Sequence, residues 1–143
     1  MSDKLLTPGE LKGITDQVHM AKVKEQFDRA RKDEDEKRSL HEAFMSRDLH
    51  PEVKARVNAA IKRAAEQGLH EIQVLTFPAS YCNDHGRRIN NAEPDWPVSL
   101  EGFAKKAHEF FEAELKPLGF RSRAQILSYP DGKLGDVGFF LMW

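Results

Sequence analysis

The sequence predicts an α+β fold: an N-terminal long helical hairpin followed by a β-α-β-β unit with a small three-stranded mixed sheet. Three observations predict it. Apolar residues recur every three to four positions up to Gly68. Beyond Gly68 they alternate in short segments bounded by proline and glycine. One further stretch of helical spacing, Leu100 to Leu115, separates the first alternating segment from the last two.

The first helix carries its own start signal. Thr7-Pro8-Gly9-Glu10 has the pattern of a capping box, with Thr7 at the cap, Pro8 in the first turn and Glu10 reaching back. Leu6 and Leu11 hold the two positions of a hydrophobic staple. Leu11, Ile14, Val18, Val23 and Phe27 trace an apolar face that drifts along the helix. Eight consecutive charged residues, Arg31 to Arg38, follow. Acid-before-base pairs at i,i+4 run through this region: Glu25–Arg29, Asp28–Lys32, Asp33–Lys37 and Glu34–Arg38. Each stabilises a helix by about 0.2–0.5 kcal/mol, so the helix is expected to continue to about Arg47.

His50 precedes Pro51 and is pushed out of the helical region, which ends the segment. A second helix is expected from Pro51, with Val53, Val57, Ala60, Ile61 and Ala64 on its apolar face and Gly68 as its stop. Ile72, Val74 and Thr76 then alternate with Gln73, Leu75 and Phe77, which reads as a strand ending at Pro78. A loop of about 20 residues follows, longer than compact domains usually carry without a function. Ser99 is expected to cap a third helix, with Val98 and Phe103 as a second staple, and Pro117-Leu118-Gly119 to end it. Phe120–Tyr129 and Val137–Trp143 read as strands around a Pro130-Asp131-Gly132 turn. A right-handed crossover predicts that the first two strands pair in parallel. The last strand is apolar on both faces, as in a strand covered on both sides.

The chain of 143 residues has the size of one domain, 1–143, with subregions 1–68 and 69–143. Lys+Arg number 22 and Asp+Glu 23, so no global basic field exists to bind nucleic acid, and none is expected as a partner. Cys82 is the single cysteine, which excludes an internal disulfide and points to a reducing compartment; the cytoplasm is the expected location. The first six residues lack an apolar stretch of signal-peptide length. No run approaches the roughly 20 apolar residues of a membrane span, so no membrane partner is expected.

No motif fixes a reaction. The segment Tyr81–Trp96 gathers the most chemistry. Cys82 with His85 as base would be a nucleophilic pair if the thiol were activated, yet no cysteine-hydrolase signature surrounds it. Cys82, Asp84 and His85 would need a further histidine (His50, His70 or His108) to hold zinc, and none stands at a metal-site spacing, so no metal or cofactor is expected. Arg87, Arg88, Asn90 and Asn91, with Tyr81 and Trp96 beside them, form the better candidate: a site for a small anionic ligand. The competing reading pairs the arginines with Asp84, Glu93 or Asp95 and uses Trp96 to pin the loop to the core. Asp131–Asp136 lacks the lysine–hydroxyl ending of a phosphate loop and reads as a turn.

Two functions follow. The favoured one is a non-enzymatic interaction or regulatory protein that forms a homodimer through its N-terminal helices. A helix of about 40 residues is about 60 Å long, more than a small sheet can cover. The alternative is a binding protein or enzyme for an anionic small molecule, using the Tyr81–Trp96 loop.

Overall fold

The computed structural model describes residues 4–143. The chain divides into two compact units, Met1–Glu42 and Ala43–Trp143.

From Pro8 onward the first unit is one helix. α1 runs Pro8–Ser46 and passes into the second unit at its last turn. Its start is the capping box of the sequence: the Glu10 N–H donates to Thr7 Oγ1 at 3.2 Å, and the Thr7 N–H donates to Glu10 Oε2 at 3.2 Å. These bonds satisfy two backbone donors that a helix start leaves open. Of the i,i+4 pairs, Glu25–Arg29 closes at 2.6 Å, and the charged run adds an i,i+3 pair, Asp35–Arg38, at 3.6 Å. Every residue from Lys4 to Leu40 is exposed.

In the second unit, the break at His50-Pro51 is as expected, but Pro51 lies in the turn before the helix. The His50 Nδ1 accepts from the Glu52 N–H at 3.0 Å, and α2 runs Val53–Glu66. Gly68, at φ +80°, provides the left-handed turn after it. β1 (Glu71–Pro78) follows, then three short helical turns: Ala79–Tyr81, α3 (Arg87–Asn90) and Trp96–Ser99. α4 (Gly102–Phe110) continues as a π-helical turn, Phe111–Leu115, and a 3-10 turn, Lys116–Leu118. β2 (Arg121–Ile126) and β3 (Asp136–Met142) complete the unit.

The sheet corrects one expectation. Its order is β1-β3-β2, and both pairings are antiparallel. β1 and β2 do run in the same sense, as a crossover requires, but β3 lies between them. The sheet is therefore antiparallel throughout and not mixed. The reason is the composition of β3, which has Val137, Phe139 and Leu141 on the inner face at 0%, 3% and 2% exposure and Phe140 and Met142 on the outer. The most apolar strand gains most from the central position, where both edges are paired.

β1 also departs from simple alternation. The register slips between Gln73 and Leu75, a β-bulge at Val74. Ile72 opposes Leu141, while Leu75 opposes Phe139 and Phe77 opposes Val137. The bulge thus places Ile72, Leu75 and Phe77 on one face, although strict alternation would put Ile72 opposite to the other two.

Ser99 is not the cap of α4. It belongs to the 3-10 turn before it, where its Oγ donates to Trp96 O at 2.7 Å, and α4 begins after Glu101. Val98 is 59% exposed. Gly102 explains the shift: its φ is +58°, and a Cβ there would lie 2.7 Å from the Met45 Cα. The chain turns at a residue that can approach the end of α1 that closely.

The inner sheet face carries two clusters. One joins Phe77, Ala79, Cys82, Ile89, Leu100 and Val137, with Phe44 packed against it. The other joins Phe111, Leu115 and Leu141, and receives Val57 and Ile61 from α2. On the outer face Arg123 spans β3, lying 4.3 Å over the Phe140 ring and pairing with Glu71 across it. The Arg123 hydrogen bond holds the Glu71 carboxyl below its usual range.

Candidate functional site

The segment between β1 and α4 is folded by its own side chains. Asn83 ties its two ends together: its N–H donates to Ser99 O at 2.9 Å and its Nδ2 to Val98 O at 2.8 Å. Asp84 organises the middle. Its Oδ1 accepts from the Gly86 N–H at 2.9 Å and its Oδ2 from the Arg88 N–H at 3.0 Å. Burial works to raise the Asp84 carboxyl, but those two amides and the Arg88 guanidinium outweigh it and hold it below the usual aspartate range. His85 and Gly86 take left-handed conformations at φ 57° and 88°. A Cβ on residue 86 would meet the Ala79 Cβ at 2.9 Å, so glycine is required there.

The two arginines have different environments. Arg88 is consumed within the loop: it reaches Asp84 at 3.3 Å, Asp95 at 3.2 Å and Glu93 at 3.9 Å. Three carboxylates around one guanidinium balance its charge within the loop, so it offers little net attraction to a ligand anion. Arg87 is exposed and forms no ion pair among the described residues.

Cys82 is 4% exposed, and burial pushes its thiol up to about 11, against a hydrogen bond to Ser99; the Asp84 and Glu101 carboxylates push it further the same way. A thiol so raised holds almost no thiolate near neutral pH. His85, by contrast, is exposed. The arrangement therefore gives Cys82 no activating base, and it packs as a small core residue.

Tyr81 packs on Phe44 with ring centroids 4.8 Å apart. Trp96 stands edge-on to His108 at 5.5 Å and to Phe139 at 6.0 Å, which is the anchoring role read from the sequence. Asn91 is exposed at the end of α3 and lies outside the groove described next. Among the described residues no three histidine, cysteine, aspartate or glutamate side chains gather as metal ligands.

The structure does bring three of the candidate residues together. His85, Arg87 and Asn90 line an open groove of about 460 Å³ with Ser80, Lys133 and Asp84, whose carboxylate is turned to Arg88. The Asn90 Oδ1 accepts from the Tyr129 hydroxyl at 3.0 Å, which fixes one wall. Lys133 was missed in the sequence because it lies in the β2–β3 connection. The connection that carries it is tied to the end of β1 by the Ala79 N–H, which donates to Gly135 O at 2.8 Å, a contact between residues far apart in the chain.

A second surface lies on α1. Leu11, Ile14, Val18 and Ala21 are spaced 3-4-3. Met20, Val23, Phe27 and Ala30 repeat that spacing. Each member of the second set stands nine residues after its counterpart, which is about 2.5 helical turns. The two stripes therefore lie on opposite sides of the helix. Their large members are between 47% and 74% exposed. No described helix is long and apolar enough to cross a membrane.

Comparison with protein-family models, with curated proteins and with solved structures finds no match.

Proposed function

We propose that this is a non-enzymatic interaction protein that self-associates through α1, in its smallest form a homodimer. One observation carries the reading: the described part of the first unit up to Leu40 buries no residue, yet its helix displays two apolar stripes at the 3-4-3 spacing that helix pairs use. A helix gains most of its stability in water from a packed apolar face, and this one supplies two faces without a partner in the chain's own first unit. A second copy supplies matching stripes. A pair of copies covers one stripe on each helix; covering both takes at least three helices.

Light scattering coupled to size exclusion tests it. At high micromolar concentration the wild type elutes at twice the chain mass or more. Replacing Leu11, Ile14 and Val18 by glutamine lowers the mass if the first stripe is used, and replacing Met20, Val23 and Phe27 does so if the second is. A wild-type monomer at that concentration overturns the reading.

A second reading is favoured by one observation, the placement of Arg87 and Lys133 in one groove without ion-pair partners among the described residues. Two free cations beside Asn90 and Ser80 suit a small carboxylate or phosphate. Calorimetric titration with inorganic phosphate and with succinate, against the wild type and Arg87→Ala, decides it. Binding that survives Arg87→Ala counts against this groove.

A further inference from the structure

The second unit carries a partly open apolar cavity with room of about 110 Å³ between α2, the sheet and the end of α4. We infer that this cavity is a binding site for a small uncharged apolar molecule, of the size of a single aromatic ring or a short alkyl chain. The inference is independent of α1 and of the anion groove.

Three observations converge on it. The first is chemistry. Every side chain lining the cavity is apolar, from Val53 and Val57 on α2 to Phe139 and Leu141 on β3. A site without a hydrogen-bonding side chain holds water poorly and does not select a charged or strongly polar ligand. The second is size. A closed apolar cavity of about 150 Å³ takes up benzene, and this partly open one has room of the same order.

The third is the backbone around it, which is irregular on two sides. Val74 and Leu75, at the β1 bulge, form one wall. Phe111 and Leu115, the ends of the π-helical turn, form another. Bulges and π turns each cost regular hydrogen bonding, and both kinds are found beside ligand sites. The π turn has a local cause in Pro117, which has no N–H to bond the Ala113 carbonyl and whose ring crowds it. The Lys116 N–H instead reaches back to Phe111 O. Regular α-helix and regular strand would carry these side chains at different angles; here both walls are bent around the same space. The Lys54–Glu114 ion pair, 3.3 Å, joins α2 to the π turn beside the cavity.

The test uses the full chain with benzene and toluene as probes and benzoate as the charged control. Methyl resonances of Val53, Val57, Leu115 and Leu141 are expected to shift with saturable dependence on benzene. The melting temperature is expected to rise by about 5 °C at tenfold excess over the dissociation constant. Benzoate should bind at least tenfold more weakly. Ala107→Leu, which adds bulk from α4 into the space, should abolish both responses. Should that variant fail to fold, Val74→Phe fills the cavity from the more exposed strand side. Wild-type methyl resonances that stay still under saturating benzene overturn the proposal. So does an equal response from a folded, cavity-filled variant, which would place the binding elsewhere.

Discussion

The two units solve the same problem in opposite ways. In Ala43–Trp143, apolar side chains are sequestered by long-range pairing: Val137, Phe139 and Leu141 are almost wholly buried on one strand. In α1 up to Leu40, side chains of similar size, Leu11, Val18 and Phe27, are 47%, 49% and 65% exposed. The difference is not the number of apolar residues but the presence of a second layer. A sheet face and α4 can close on each other, whereas a lone helix has only its own backbone to satisfy. Local devices hold α1 together: a capping box, an i,i+4 ion pair and a charged run. Non-local packing holds the second unit. Local devices are worth tenths of a kcal/mol each, so a helix that relies on them keeps its apolar stripes available.

The sharpest way to break this comparison is a matched pair of truncations. Phe139→Ala removes a ring that touches Trp96, His108 and the cavity wall, and should destabilise the second unit by about 3–5 kcal/mol. Phe27→Ala removes the same ring from a site 65% exposed, and should change unfolding by no more than about 0.5 kcal/mol at low protein concentration. Urea denaturation measures both when followed by far-UV circular dichroism for α1 and by tryptophan fluorescence for the second unit, where Trp96 and Trp143 lie. Equal effects would mean that α1 is packed as tightly as the sheet.

What could be read in advance follows the same division. The start of α1 was legible at Thr7 and Glu10 because a capping box is a four-residue event. So was its end, because His50-Pro51 acts on its own backbone. The helix, strand and strand-pair segments of the second unit were legible from period alone. The position of β3 was not, because strand order depends on which edges meet after collapse. The bulge at Val74 left one trace, the adjacent apolar pair Val74-Leu75 that breaks alternation, but such a pair also fits a strand with apolar residues on both faces. At the candidate site, the loop's residue types pointed equally to ligand binding and to self-pairing. Only geometry separates Arg88, held by three carboxylates, from Arg87, which has none among the described residues, and only tertiary contact supplies Lys133.

That pair of neighbouring arginines gives the next sharpening. Arg88→Ala leaves the part-buried Asp84 without its cation and releases Asp95, and should cost about 1–2 kcal/mol in the same denaturation experiment. Arg87→Ala should stay within about 0.5 kcal/mol. If the two cost the same, the loop is not organised by the Asp84–Arg88 network.

The finest effect is a slope with pH, and it arises where packing surrounds a titrating ring. His108 on α4 stands among Trp96, Phe111 and Phe139. Burial lowers its proton affinity from the ordinary 6.5; Glu112, 3.5 Å away, and Glu109 oppose the shift, and Lys116 adds to it. The unfolded chain therefore binds this proton more readily than the folded one. The contribution of neutral His108 is complete above the unfolded value and declines as pH falls below about 6.5, levelling off once the folded group is protonated too. Asp84 adds a separate loss at lower pH, below its unfolded value of about 3.8. Melting temperatures measured from pH 8 to pH 5 should therefore fall in the wild type through the histidine range. They should fall less in His108→Phe, which keeps an aromatic ring against Trp96 and removes the titrating nitrogen. A rise in stability between pH 8 and pH 5 that disappears in the variant would mean that Glu112 dominates burial at this position, and that the interior beside Trp96 is wetter than its packing implies.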